Sequence, residues 1–265
     1  VSWLWRDELR VLLTPRRVHL QRRARGVQPV LVEQQAIDVD GGNGFDWAAA
    51  VEALATLLAS RPRRAADAVL VLSNHFVRYT LVPASDLLVT HEDEVRFAQQ
   101  DFARVYGPAA ERWQVSVSAD SPGAPLLASG VVTDLVDALR AMLRAHGLRP
   151  RSLQPALMAA FNAARGALPP TATRLVCLEP GMAVSALLAP GWSRVRSQRI
   201  AAGTDLEPIV QRERALDDTP LAPESICVLP LLAEQLPAAL ADGTALKVLP
   251  ALWTAAEPTP SEQAA

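Results

Sequence analysis

The chain has 265 residues, half of them apolar, and a formal charge of −2. That is enough to build one large core or two modest ones. The near-neutral charge gives no electrostatic case for nucleic acid, and Lys247 is the sole lysine among 26 basic residues.

Cys177 and Cys227 lie in apolar runs and are too isolated for a zinc spacing or a disulfide framework, so both read as buried thiols in a reducing compartment. No run approaches the roughly 18 apolar residues of a membrane span. The first ten residues carry charges where a signal peptide needs an apolar stretch. The expectation is a protein that neither spans a membrane nor enters the secretory route, and that reaches a membrane only through a partner.

In chain order, Arg10 to Thr14 reads as a strand, Pro15 to Arg17 as a break, and Val18 to Arg22 as an alternating second strand. Val30 to Val39 is a third. Gly41 to Gly44 is a loop. Asp46 caps a helix reaching Ser60, with Trp47, Val51, Leu54 and Leu58 on one face, and Pro62 and the arginines after it end it. Ala68 to Leu72 is a strand, and Phe76 to Pro83 continues extended. Thr90 caps an acidic-start helix that stops at Gly107 and Pro108. Strands follow at Trp113 to Ser118 and Leu126 to Val132, then a helix capped by Thr133 and running through Ala145, with Gly147 past its end. Leu153 to Pro155 is brief and extended, and Ala156 to Arg165 is helical.

Leu168, Pro169 and Pro170 mark the best boundary. After it the opening pattern returns, with strands at Arg174 to Leu178, Ala183 to Leu188 and Ser193 to Ile200. A helix (Asp205 to Ala215), a strand (Ser225 to Leu229), a helix (Leu231 to Leu240) and a strand (Leu246 to Leu249) complete it. The duplication lies in element order rather than residue identity, and it predicts two α/β halves.

Catalytic motifs are missing. Gly41 to Gly44 precedes a helix but lacks the lysine and hydroxyl of a phosphate loop, and it fails the dinucleotide glycine spacing. The four histidines are scattered, and His91 has no second histidine at zinc-helix spacing. There is no Gly-x-Ser-x-Gly elbow. Ser73, Asn74 and His75 read as a polar loop that presents Phe76, Arg78 and Tyr79, and the pairs Asp38/Asp40 and Asp217/Asp218 read as solvated loop charge. Glycine turns at Glu179-Pro180-Gly181 and around Gly203 have the form that lets backbone N–H groups approach a phosphate, although hairpin and capping needs explain them too.

Three stretches carry a resemblance: Val69 to Pro83 with the acidic-start helix ending at Tyr106 and Gly107, Leu148 to Pro155 before a helix, and Arg199 to Leu206. With the element order, they resemble the actin-like ATPase fold of actin and sugar kinases. Within it the chain is similar to the PilM-like proteins of type IV pilus assembly and the cytoplasmic region of the GspL proteins of type II secretion. The resemblance implies an α/β chain of two RNase H-like halves with a small inserted α+β subdomain in the first. Residues 1–168 would form the first half, with the insert at about 73–132. Residues 169–252 would form the second half and 253–265 a disordered tail.

An active member carries an Asp-x-Gly hairpin in each half, the carboxylate organising Mg²⁺ through water and the glycine admitting phosphate. Here the first turn, at Thr14, has neither residue, and Pro15 lacks a donor. Glu179 and Gly181 match in part. Leu229 to Leu232 stands where a Gly-Gly pair would lie against adenosine. Thr14, Glu179, Gly181 and Gly203 are therefore expected to be vestigial phosphate turns, with no catalytic residue, no metal and no required cofactor. ATP with Mg²⁺ belongs to the alternative, an active actin-like ATPase or kinase. The expected role is a non-catalytic scaffold on the cytoplasmic face of the inner membrane. It would dock the short cytoplasmic segment of a bitopic assembly protein, and a secretion or pilus motor ATPase is a further partner. Phe76, Arg78 and Tyr79 are the expected partner surface.

Overall fold

The computed structural model describes residues 6–24, 26, 30–39, 46–118, 124–189, 191–201, 206–216, 225–233 and 236–254. In chain order the elements are β1 (Asp7–Leu13), β2 (Arg17–Ala24), β3 (Val30–Asp38), α1 (Trp47–Ala59), β4 (Ala66–Leu72), β5 (Val77–Val82), α2 (His91–Tyr106), β6 (Trp113–Val117), β7 (Leu126–Val132), α3 (Thr133–Ala145), β8 (Arg149–Pro155), α4 (Ala156–Ala164), β9 (Thr173–Glu179), β10 (Met182–Leu188), β11 (Trp192–Arg199), α5 (Leu206–Ala215), β12 (Ser225–Pro230) and β13 (Leu246–Val248).

Two five-stranded sheets share one plan. The first runs β3-β2-β1-β4-β8 and the second β11-β10-β9-β12-β13. In each, the first three strands form an antiparallel meander. The fourth and fifth then run parallel to the first. Parallel neighbours need a crossover between them, which is why each half turns from hairpins to helices after its third strand. The duplication read from element order is thus present down to strand direction.

The chain divides into two compact units. Among the described residues, one holds the first sheet, within 1–76 and 132–156, together with Thr254; the other lies within 77–131 and 157–253. The inserted three-stranded sheet, β5-β7-β6, thus groups with the second sheet rather than the first.

In the first unit, α1 buries Ala50, Leu54, Leu57 and Leu58, while α3 buries Leu135, Val136, Leu139 and Leu143. These spacings of three and four put one apolar stripe on each helix, and α1 packs against α3. The Asp46 side chain accepts from the Ala48 N–H at 2.8 Å, starting α1 as its residue type predicts. Thr133 is the first residue of α3 rather than its cap; Val132 holds that place without a side-chain bond. β8 is longer than expected, since Arg149 and Pro150 already pair with β4.

In the second unit, β9 is buried at every residue. Its alternating side chains feed two cores. Leu175 and Cys177 join Leu157, Ala160, Phe161, Val184 and Trp192 on one face, and Val176 and Leu178 join Leu206, Ile209, Val210 and Val228 on the other. Both cysteines are free and buried, and burial raises the Cys227 thiol above its ordinary value. In the insert, Thr90 and Asp93 form a reciprocal capping box at the start of α2. Trp113 and Phe102 close over Gly130, where an added Cβ would meet Trp113 at 2.9 Å.

The helix expected from Leu231 to Leu240 does not form. The described residues there make isolated bridges, Leu232 to Trp253 and Ala239 to Ala245, and the Leu231 N–H donates to the Leu178 carbonyl at 2.7 Å. Pro237 explains this: it supplies no N–H, clashes with the preceding turn, and biases Leu236 toward extended backbone. Trp253, assigned to the tail by sequence, is 1% exposed.

Candidate functional site

The two equivalent hairpin turns differ in what they offer a ligand. In the first, the Thr14 hydroxyl donates to the Arg17 carbonyl at 2.7 Å and accepts from the Arg17 N–H at 3.0 Å. The Thr14 N–H also donates to the Arg17 carbonyl, at 3.2 Å. The turn closes upon itself, and Pro15 has no donor to add. Thr14 is buried, with its hydroxyl committed on both sides. This turn lacks the row of free N–H groups that a phosphate cradle requires.

The second turn keeps more of the phosphate-turn form. Glu179 pairs with Met182 across Pro180 and Gly181, and Gly181 has φ of 83°. Proline followed by a residue of positive φ is the type II pattern. A valine there meets the steric penalty of left-handed backbone. We expect Gly181→Val to lower unfolding free energy by about 2 kcal/mol, read from urea denaturation, with Gly181→Asn losing clearly less. Equal losses would mean that φ is not the constraint.

Glu179 is only 4% exposed. It shares a strand face with Cys177, and both lie close enough to Tyr79 to act on its phenol. Burial first, then Cys177 and Glu179, hold the Tyr79 hydroxyl well above its ordinary value, while the Leu157 backbone opposes them. The structure therefore brings together two residues assigned to different roles by sequence, a turn carboxylate and a partner anchor. No local signal marks this grouping, because β5 and β9 are about a hundred residues apart.

Phe76 is 8% exposed and ends a short 3-10 turn. Arg78 is half-buried and donates to the Val77 carbonyl at 2.9 Å. Tyr79 is half-buried. Ser73 and Asn74 are fully buried, and the Ser73 hydroxyl accepts from the His75 N–H at 3.1 Å, a local turn bond. Gly203, Gly41 to Gly44, Asp40 and Asp217 with Asp218 lie outside the described residues.

Where an adenosine-contacting glycine pair would stand, Leu229 and Leu231 are 1% and 0% exposed. The Pro230 and Leu231 carbonyls accept from Leu252 and Trp253. The segment is built into the sheet and its core. Among the described residues no group of three or more His, Cys, Asp or Glu could hold a metal ion.

The sequence gives little sign of a basic cluster here, since Arg63 and Arg64 read only as a helix stop and Arg61 carries no assigned role. With Arg22 and His146 they line a small cavity in the first unit.

No family model and no curated relative matches the sequence. Solved structures do. The cytoplasmic domain of EpsL, an inner-membrane component of the type II secretion system of Vibrio cholerae, is 12% identical, with 93% of this chain and 91% of that one covered at a TM-score of 0.59. The PilM–PilN type IV pilus biogenesis complex gives 16% identity, 84% and 81% coverage and 0.58. A Bacteroides thetaiotaomicron protein with an actin-like ATPase fold and unknown function gives 8%, 93% and 91%, and 0.61.

The fold is therefore that of the actin-like ATPases, as the sequence resemblance implied. Within that class the chain is structurally similar to the EpsL cytoplasmic domain and to PilM. At these identities the likeness establishes the fold.

Proposed function

We propose that this chain is a component of an inner-membrane assembly platform of bacterial type II secretion or type IV pilus machinery, acting there as a non-catalytic scaffold. It would dock the short cytoplasmic segment of a bitopic membrane partner, with a motor ATPase as a further contact. Its place would be the cytoplasmic face of the inner membrane, held there through partners. The observation that carries the non-catalytic reading is the first hairpin turn, where the Thr14 hydroxyl and N–H are spent on Arg17 and Pro15 contributes no donor. The platform reading is supported by likeness to an inner-membrane secretion component and to a pilus biogenesis complex. No helix among the described residues is long and apolar enough to cross a membrane.

A second reading, an actin-like ATPase or kinase binding Mg-ATP, is favoured by one observation. Gly181 keeps the positive φ of a phosphate turn beside the Glu179 carboxylate.

Titration calorimetry with ATP and Mg²⁺ separates the two. The scaffold reading expects no saturable heat at millimolar nucleotide from folded protein. Dissociation in the micromolar range, about −8 kcal/mol, would sink it. Under the ATPase reading that affinity would also fall on Gly181→Val or Gly203→Val.

A further inference from the structure

We propose that the arginine-lined cavity at the base of the first sheet is a binding site for a phosphate group. The cavity measures about 30 Å³ and is lined by Leu9, Leu58, Leu148 and the basic residues Arg22, Arg61, Arg63, Arg64 and His146. Leu9 lies near the start of β1 and Ala66 begins β4, so this is the end of the sheet opposite the Leu13–Arg17 turn. A site of this size admits part of one oxyanion and not a nucleoside, since a single water centre needs roughly 10–15 Å³.

Arg61 carries the argument. Its side chain is 8% exposed, and Nη2 lies 2.6 Å from the Glu33 carboxylate. Nη1 is buried without a hydrogen-bond partner. A buried guanidinium N–H left unpaired is unfavourable, and a small rotation of the Arg61 side chain would turn Nη1 from the packed wall to an anion in the cavity. Burial lowers the Arg61 pKa, Glu33 opposes that, and the neighbouring Arg22 adds to it. An anion would relieve both the burial and the repulsion.

The local charges also favour an anion. Arg22 is tied to Asp7, its Nε at 2.7 Å, and Arg61 to Glu33. Arg63 and Arg64 are exposed at the rim and enter no ion pair among the described residues. The ends of α1 and α3 at the cavity each contribute about half a negative charge. Four guanidiniums against two carboxylates and two helix ends leave about one positive charge. A phosphate suits this better than a carboxylate. It carries up to two charges near neutrality and spreads three or more acceptor oxygens, enough to meet the buried Nη1 and the rim pair together. One guanidinium fork already satisfies a carboxylate. The phosphate could belong to a dissolved phosphorylated solute or to a lipid headgroup.

The test is an amide-resolved NMR titration of the chain with inorganic phosphate at fixed ionic strength, with chloride as control. Saturable shifts at Arg61, Arg63, Arg64 and Leu148 are expected, with half-saturation at about millimolar phosphate. The double variant Arg63→Gln/Arg64→Gln, which leaves the buried contacts intact, should weaken binding about tenfold or more. Arg61→Gln should weaken it as well. Shifts equal to those in chloride, or an unchanged curve in the double variant, would overturn the proposal. Flotation with phosphatidylcholine vesicles, with and without phosphatidic acid, distinguishes the sources. Phosphate binding without flotation assigns a solute. Both together, and both lost in the double variant, assign the headgroup. Flotation without free-phosphate binding would overturn the pocket and leave only general surface charge.

Discussion

Trp192→Ala should lower the unfolding free energy by about 3–5 kcal/mol, the range for truncating a fully buried aromatic. Trp192 is 1% exposed, and its ring centroid lies 4.8 Å from that of Phe161 in α4. The same core holds Leu175, Cys177 and Val184 of the second sheet with Leu127 of the insert, and Tyr79 and Leu81 pack against it. The indole therefore fills the place where helix α4, the sheet and the insert meet. Deleting it removes the ring contact with Phe161 and leaves a hole in that shared core, and a cavity of that kind collapses only in part. Against a total stability of roughly 5–15 kcal/mol for a domain, the loss should move the urea midpoint far and narrow the working temperature range. Trp192→Phe should recover much of it by keeping an aromatic face toward Phe161. A loss under about 1 kcal/mol for the alanine variant would mean that the site is hydrated or free to collapse.

That core also shows which parts of the fold could be read from the sequence. The element order along most of each half is legible because its signals are local. Turn residues at Pro15 and Gly181 separate the meanders, and Asp46 and Thr90 announce helices with side chains that bond as their types predict. Long-range choices were not legible. Arg149 and Pro150 look like loop, yet they extend β8 because β4 offers a parallel partner. Leu231 to Leu240 has helical composition, but Pro237 and the pairing of Leu232 with Trp253 override it. The insert interrupts the first half in sequence, while its Tyr79, Leu81 and Leu127 pack into the second sheet's core.

The candidate site divides the same way. The defect in the first turn was visible as Thr14-Pro15 in place of an acid and a glycine. The structure adds the reason it matters, a hydroxyl already bonded on both sides to Arg17. The grouping of Glu179 with Tyr79 and the gathering of Arg22 with Arg61 depend on strand packing and on the ends of two helices. Residue type alone does not encode either. Charge runs such as Arg61-Pro62-Arg63-Arg64 are usually solvated, and only burial separates Arg61 from its exposed neighbours.

Stability should rise with pH between about 4 and 6.5 through His19. This residue of β2 is 6% exposed. Its pKa is lowered from 6.5 to about 4, chiefly by burial and then by Arg17, with Asp38 opposing. Below 6.5 the unfolded chain takes a proton at this ring that the folded chain refuses until about pH 4. The unfolded state binds more protons across that window, so unfolding becomes easier as pH falls through it. A depression of this size corresponds to about 3 kcal/mol at 1.36 kcal/mol per unit. Arg17 and Asp38 are themselves well exposed, and solvent screening of their part reduces the expected effect to about 2 kcal/mol. The measurement is the urea midpoint at pH 7.5 and pH 4.5 for the chain and for His19→Gln, which cannot titrate. The variant will lose some stability at both pH values, because a side chain packed in a sheet has been changed. What identifies the histidine is the difference between the two pH dependences, since carboxylates elsewhere titrate alike in both proteins. If the two proteins lose stability in parallel from pH 7.5 to 4.5, then His19 takes up its proton in the folded state, and the β2 face around it is open to water.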